Sequence, residues 1–190
     1  MKKTLLRIAA PFIMALTGAC SSPQFTTITP APAPYGNFGV EVQAYPAGVI
    51  PGIHARYRLT NADAITFRIA ANITERGDWG EHEDESGDGW GGGVGWRRAH
   101  SGDLDADGWW YGARVDLWDL SIDWSDPGPR TGRTDVLVAQ PTIELGYGWT
   151  TKSAGRFELG AGIGAEINVD TTGEDVGEGT IFLVGLTWLP

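Results

Sequence analysis

The chain is poor in cysteine, in lysine and in long apolar runs, and each shortage argues against a class of protein. Cys20 is the single cysteine among 190 residues, which removes any disulfide framework and any zinc site built from several thiolates. Acidic residues outnumber basic ones by 24 to 14, whereas nucleic-acid phosphates demand a basic surface. No apolar run after residue 20 approaches the roughly 20 residues of a membrane-spanning helix. We therefore expect neither a helical membrane protein nor a nucleic-acid-binding protein.

Residues 1–19 have the layout of a bacterial export signal. A basic start precedes the mostly apolar stretch 5–16, and small residues precede Cys20. This layout is typical of a cleaved signal peptide. The end of the segment resembles a lipobox, which implies that Cys20 is lipidated, while ordinary cleavage after Ala19 is the alternative. Residues 20–36 are rich in proline and threonine and are predicted to form an extended tether.

From residue 37 onward, apolar and polar residues alternate with a period of two, which is the pattern of β-strands. In the clearest run, 157–169, apolar residues of one parity alternate with glycines, Glu158 and Glu166. This run exceeds the usual strand of a globular sheet and fits a tilted membrane strand of about 9–11 residues plus its ends. Eight strands are predicted, at residues 38–45, 53–59, 64–74, 90–100, 109–124, 136–149, 157–169 and 180–189.

The connections between the predicted strands differ in length. With both chain ends on the periplasmic side, the long connections 75–89, 125–134 and 170–179 fall on the outer side. The alternation slips at residues 117–118, where we expect either a bulge or an extension beyond the bilayer. Pro141 is expected to interrupt the ladder of a closed barrel unless a bulge accommodates it.

The number of strands and the loop pattern resemble those of small bacterial outer-membrane β-barrels, the eight-stranded family exemplified by outer-membrane protein A. The resemblance is architectural and covers roughly residues 37–190, the predicted barrel domain. It implies an all-β fold: a single antiparallel up-and-down transmembrane β-barrel of about eight strands in the bacterial outer membrane. The implied partners are outer-membrane lipid and lipopolysaccharide, with the barrel assembly machinery during biogenesis.

The alternation alone leaves open which face is apolar: the outer face, as in a membrane barrel, or the inner face, as in a soluble lipocalin-like barrel. Arginine, glutamate and glycine dominate the polar parity and aromatic residues cluster towards strand ends, both of which favour an apolar outer face. The alternative is a soluble periplasmic lipid-anchored barrel with Phe157 and Trp188 against a small apolar ligand.

In a barrel with an apolar outer face, charged residues of the polar parity lie in the lumen. We expect them to form a network of ion pairs that fills the bore, because eight strands leave room only for side chains. The predicted network consists of Glu41, His54, Arg56, Arg58, Arg68, Arg97, Arg114, Asp116, Glu144, Glu158 and Glu166.

One acidic motif suggests a metal ion. Asp103, Asp105 and Asp107 match the first half of an EF-hand calcium loop, in which alternate carboxylates converge on one ion. The closing glutamate of that loop is replaced by Arg114, so a complete EF-hand is excluded. A partial Ca²⁺ site and an acidic hairpin turn are the two interpretations. No other cofactor is expected.

Barrel enzymes that modify lipid A need a histidine near a serine nucleophile or a carboxylate. The histidines are His54 in the predicted lumen, His82 in an acidic outer loop, and His100 beside Ser101. Adjacent strand residues point to opposite faces, so His100 and Ser101 do not make such a pair. We therefore expect a structural or interaction protein without catalysis, with acidic outer loops; lipid A modification is the lesser alternative.

Overall fold

The computed structural model describes residues 37–77 and 80–190, which contain eight strands. The signal segment, the tether and the lipidation site Cys20 lie outside the described residues. The strands are β1 (Phe38–Tyr45), β2 (Gly48–Arg58), β3 (Asp63–Glu75), β4 (Asp84–Ala99), β5 (Gly108–Ser125), β6 (Thr131–Thr151), β7 (Gly155–Thr172) and β8 (Gly179–Leu189). Among these residues, no helix is long and apolar enough to cross a membrane.

The eight strands close into an up-and-down barrel. Each strand pairs antiparallel with the next in sequence, and β1 also pairs with β8. This last ladder runs from Val40 opposite Trp188 to Ala44 opposite Val184. Closure removes the free edge strands of an open sheet, although residues 167–172 of β7 extend beyond the ladder with β8. The predicted all-β class and the eight-stranded topology are thus confirmed.

The barrel wall is taller on one side. Strands β4 to β7 have 16, 18, 21 and 18 residues, whereas β1, β2 and β8 have 8, 11 and 11. The long connections shrink accordingly to 76–83, 126–130 and 173–178. All three lie at one end of the barrel, which we call the loop end. The opposite end, which we call the turn end, contains connections 59–62, 100–107 and 152–154. The last residue, Pro190, also lies there.

The outer face of the barrel carries an apolar belt. Ile69 and Ile53 leave 70 % and 62 % of their surface exposed, and their neighbours on the outer face are similar. Aromatic residues surround the belt at the turn end: Phe38, Tyr57, Trp96, Trp109, Tyr111, Tyr147, Trp149, Phe157 and Trp188. The soluble alternative is wrong about the faces, because Phe157 and Trp188 lie on this outer surface, where Phe157 stacks on Trp149.

On β5 the inner face changes from polar to apolar, and the outer face changes from apolar to polar. Up to Leu117, Arg114 and Asp116 are buried inside while Val115 and Leu117 are exposed. From Trp118 towards the loop end, the inner residues are apolar and the outer residues are polar. The register with β4 and β6 is continuous through this point. Of the two alternatives at 117–118, the bulge is wrong, and the strand continues past the apolar belt.

The irregularities of the wall lie between β6 and β7 instead. The register shifts between Leu137 and Val138, which leaves Val169 of β7 without a partner on β6. The same ladder skips Gln140 and Pro141, although Pro141 remains opposite Val115 on β5. Proline has no N–H to donate, so the predicted interruption at Pro141 affects one of its two ladders.

Glycines make room for two large aromatic side chains inside the narrow bore. The ring of Trp118 occupies the space that a Cβ at Gly91 would need, and Trp110 lies in the same way against Gly146 and Gly160. An eight-stranded barrel has an interior just wide enough for side chains. Inward-facing glycines thus leave the space that the two buried tryptophan rings occupy.

Candidate functional site in the barrel lumen

The half of the lumen nearer the turn end contains buried ion pairs centred on Glu41. Its Oε1 accepts hydrogen bonds from Arg68 at 3.0 Å and Arg114 at 3.1 Å. Its Oε2 lies 2.9 Å from Nδ1 of His54 and accepts a hydrogen bond from Thr187 at 3.3 Å. One carboxylate on β1 thus joins side chains from β2, β3, β5 and β8.

Two further carboxylates bind the same arginines. Asp116 accepts hydrogen bonds from Nε of Arg68 at 2.8 Å and Nε of Arg114 at 3.1 Å. Glu144 lies 2.6 Å from Nη2 of Arg114 and 4.0 Å from Nη2 of Arg97. Arg68 and Arg114 therefore each face more than one acid, which compensates their buried charge.

Glu158 forms the centre of a second group of charges nearer the turn end. It accepts a hydrogen bond from Nε of Arg156 at 2.9 Å, lies 3.5 Å from Nη1 of Arg56, and is hydrogen-bonded to Arg97. The guanidinium of Arg97 also lies 3.6 Å from the centre of the Trp110 ring, a cation–π contact. Arg97 reaches Glu144 as well and links the two groups.

The structure joins ten of the eleven predicted lumen residues through these ion pairs, with Arg58 connected through Asp105. Glu166 lies apart, near the loop end, 3.2 Å from Arg76 and 3.3 Å from Gln140. Arg156 also belongs to the network, although it is not among the predicted residues. It lies two residues before Glu158 and therefore on the same face of β7.

The connection between β4 and β5 reaches across the mouth of the lumen at the turn end. Asp105 lies 3.1 Å from Arg56 and 2.8 Å from Arg58, both on β2. The backbone carbonyl of Asp105 accepts a hydrogen bond from Arg156 on β7 at 3.2 Å. Leu104 is buried beside Ala64 and Ala99, so this connection closes the turn end.

The three aspartates of the proposed Ca²⁺ motif contact arginines and a backbone N–H group. Asp103 lies 3.5 Å from Arg58, and Asp105 binds the arginines described above. Asp107 accepts a hydrogen bond from the backbone N–H of Thr150 at 2.8 Å. Within the part of the chain that the structure describes, no three carboxylate, thiolate or imidazole groups are placed to hold a metal ion. Both the partial Ca²⁺ site and the acidic turn stay predictions.

An apolar cluster fills the lumen between the ion pairs and the loop end. Its buried members are Tyr45, Ile50, Ala70, Trp118, Leu120, Ile122, Trp124, Val136, Val138, Val176, Ile181 and Leu183. Trp118 lies at the boundary: its Nε1 donates to Gln140 at 3.2 Å, and Arg68 lies 5.0 Å from its ring centre. The cavity beside Glu41, Trp110 and Glu158 has a volume of about 10 Å³, room for about one water molecule.

Glu85 closes the loop end. This buried carboxylate accepts hydrogen bonds from the backbone N–H groups of Glu81 at 2.7 Å, His82 at 3.1 Å and Gly177 at 3.1 Å. Arg76 lies 3.2 Å from Glu85 and donates to the carbonyl of Gly177. Connections 76–83 and 173–178 are therefore fastened together by one acid and one arginine.

The three histidines lie in three separate surroundings. His54 contacts Glu41 in the lumen network, and His82 is buried at the loop end. His100 is at the turn end, where its neighbour Ser101 donates its hydroxyl to the carbonyl of Asp103. A Ser–His pair of the kind that a lipid A-modifying enzyme needs is not formed by these residues.

The fold and the lumen together define a class: a small closed β-barrel, apolar outside, with its bore filled by side chains. No family model and no curated protein matches the chain. Among solved structures, Neisserial surface protein A is similar, with 13 % identity, 80 % of this chain and 92 % of that one covered, and a TM-score of 0.44. The N-terminal β-barrel domain of OprF from Pseudomonas aeruginosa has 12 % identity, 82 % and 99 % coverage, and a TM-score of 0.44. The fold assignment rests on this chain's own strand order and register.

Proposed function

We propose that the protein is a bacterial outer-membrane β-barrel of structural or interaction type, without catalysis and with a closed lumen. The observation that carries this proposal is the pairing of an apolar outer belt with a bore filled along its length. A conducting pore needs a water-filled path, and an enzyme needs an accessible constellation of reactive groups. The ion pairs around Glu41 and the cluster around Trp118 occupy the space for either.

The height of the belt supports a position in the membrane. On β6 the apolar outer residues extend from Leu137 to Trp149. At about 3.4 Å per residue and a tilt of roughly 45°, this run crosses roughly 29 Å, close to the ~25 Å apolar band of outer-membrane barrels. The aromatic residues at the turn end fit the interface between lipid and water. In this position the belt contacts lipid, and the short turns face the periplasm.

The loop end would then face the outside of the cell with a negative surface. Its exposed acids are Glu81, Glu83, Asp84, Glu174, Asp175 and Glu178. Outer-membrane lipid and lipopolysaccharide are the proposed surroundings, and the barrel assembly machinery the proposed partner during insertion. Lipidation of Cys20 would add a second attachment to the same membrane.

Heat modifiability tests this proposal. Washed outer membranes of bacteria that produce the protein are extracted with alkaline carbonate and run on a cold SDS gel, with and without boiling. We expect the protein to resist carbonate and to migrate differently before and after boiling, because a folded membrane barrel resists SDS. Release by carbonate together with unchanged migration would overturn the membrane assignment.

Conductance tests the closed lumen separately. The purified full-length protein is reconstituted into planar lipid bilayers, where we expect no steady conductance above the bare bilayer. Long-lived open events, in protein that shows the folded migration, would overturn the closed lumen while leaving the membrane assignment intact.

A further inference from the structure

His82 occupies a position where three connections meet at the loop end. Its ring stacks on Trp124 of β5, with 4.0 Å between the ring centres and 9° between the planes. Nδ1 lies 3.0 Å from Oδ1 of Asp126, and Nε2 lies 3.0 Å from the backbone carbonyl of Asp175. The side chain is buried, with 7 % of the residue's surface exposed. One imidazole therefore bridges connections 76–83, 126–130 and 173–178.

Both contacts of this ring are to oxygens that accept hydrogen bonds. A carboxylate and a backbone carbonyl have no proton to donate, and a neutral imidazole has one N–H only. A neutral His82 satisfies one of the two contacts and places a lone pair against an oxygen in the other. The doubly protonated imidazolium donates to both. Only the charged ring therefore donates a hydrogen bond to both oxygens.

Acids and arginines both surround His82, and they come from the elements packed against it. On the Asp126 side, Arg130 lies 2.9 Å from the second carboxylate oxygen and 5.5 Å from the ring centre of Trp124. Arg130 is in turn hydrogen-bonded to Glu174, whose hydrogen bond and charge raise the pKa of Arg130. On the third side, Glu85 accepts the backbone N–H of His82 and is itself paired with Arg76, as described above.

We propose that His82 is a proton-dependent latch that holds the three loop-end connections together. Histidine changes its charge between about pH 5 and 8, whereas Arg130 stays charged there. When the ring is charged, both hydrogen bonds are present and the three connections are held together. When the ring is neutral, one of the two hydrogen bonds is lost and the three connections are joined less tightly at His82, while Glu85 and Arg76 still hold 76–83 to 173–178. This inference goes beyond the closed-barrel function and does not depend on it.

Hydrogen exchange by mass spectrometry tests the latch in the full-length protein in lipid vesicles. Exchange is compared between about pH 5 and about pH 9, on either side of the histidine range, after correction for the intrinsic rates. We expect peptides covering 126–130 and 173–178 to exchange about tenfold faster or more at the higher pH, as the loss of one hydrogen bond to a charged group implies. Equal corrected rates would overturn the latch.

Two variants of the latch distinguish its chemistry from general loosening. Asp126→Asn offers an amide N–H to Nδ1 while its oxygen still accepts from Arg130, so a neutral His82 keeps both contacts. We expect slow exchange to be retained at the higher pH in Asp126→Asn. His82→Phe keeps the stacking on Trp124 without either hydrogen bond, and its connections should exchange fast at both pH values.

His100→Gln is the matched control, since it removes a histidine at the turn end. It should keep the full pH dependence of the wild-type protein. A pH dependence that is unchanged in His82→Phe, or that disappears in His100→Gln, would overturn the assignment to His82. The cold SDS gel of each variant verifies that the barrel has folded.

Discussion

The two halves of the lumen contain opposite chemistry inside the same eight strands. Near the turn end the bore is filled by arginines and carboxylates, and near the loop end by tryptophan, leucine, isoleucine and valine. Both halves are closely filled, and Trp118 lies at the boundary between them. The difference teaches that a narrow barrel can be filled either by paired charges or by apolar packing. The choice between them depends on the outer surface at the same height.

On the tall side of the wall, the polarity of the inner residues follows from the polarity of the outer surface. Where β5 exposes Val115 and Leu117, its inward neighbours are Arg114 and Asp116; where it exposes Asp119, they are Trp118 and Leu120. A strand with alternating faces that is apolar outside has its polar residues inside, and the reverse holds for a wall in water. The reversal in β5 thus marks where the wall leaves the apolar belt.

The ionic half is expected to be the more sensitive to a single change. Replacing Glu41 by Gln removes the charge that faces Arg68, Arg114 and His54 and leaves buried guanidinium groups with too little compensation. Breaking a buried ion pair costs about 3–5 kcal/mol of unfolding free energy. Urea unfolding of the protein from lipid vesicles measures this loss.

Glu75→Gln is the control, because the same chemical change falls on an exposed residue at the end of β3. Its effect should stay within about 0.5 kcal/mol, as is usual for surface substitutions. If Glu41→Gln and Glu75→Gln unfold at the same urea concentration, the ion pairs fill space without the energetic role assigned to them here.

The apolar half should respond to lost volume instead of lost charge. Leu120→Ala opens a cavity in the cluster, and we expect it to lower the unfolding free energy by about 2–5 kcal/mol. Leu117→Ala removes the same side chain from the outer face of β5, where lipid would fill the space in the proposed membrane position, so its cost should be clearly smaller. Equal costs in urea unfolding would mean that the cluster is not tightly packed.

The sequence predicts the face of each lumen residue well, because the period of two is strict within a strand. It does not predict height: Glu166 shares the parity of Glu158 but lies beyond the ionic network, beside Arg76. Arg156 is not among the predicted lumen residues, because the alternating run 157–169 begins at its first apolar residue, Phe157. Asp105 matches a calcium ligand by its spacing from Asp103 and Asp107. That spacing does not reveal that β2 and β7 place arginines beside Asp105.

The apolar cluster and the latch were harder to foresee. A reversal of alternation at Trp118 looks like a slipped register in a sequence, since both put two apolar residues side by side. The contacts of His82 depend on three connections meeting at one end of the barrel, and the positions of Asp126 and Asp175 relative to it follow only from closure. A local sequence pattern predicts strands. A site built from several connections can be recognised only when the closed barrel shows which connections lie side by side.

The boundary between the two halves predicts a third and smaller pair of effects. Val115→Arg puts a charge on the outer face within the apolar belt, and Asp119→Arg puts the same charge four residues further along β5. An outward arginine costs about 2–4 kcal/mol at the bilayer midplane and about 0–1 near the interface. We therefore expect Val115→Arg to destabilise the barrel in lipid vesicles and Asp119→Arg to have little effect. Similar costs at both positions would mean that the reversal of alternation does not mark the edge of the membrane, and the contrast between the two halves would need another cause.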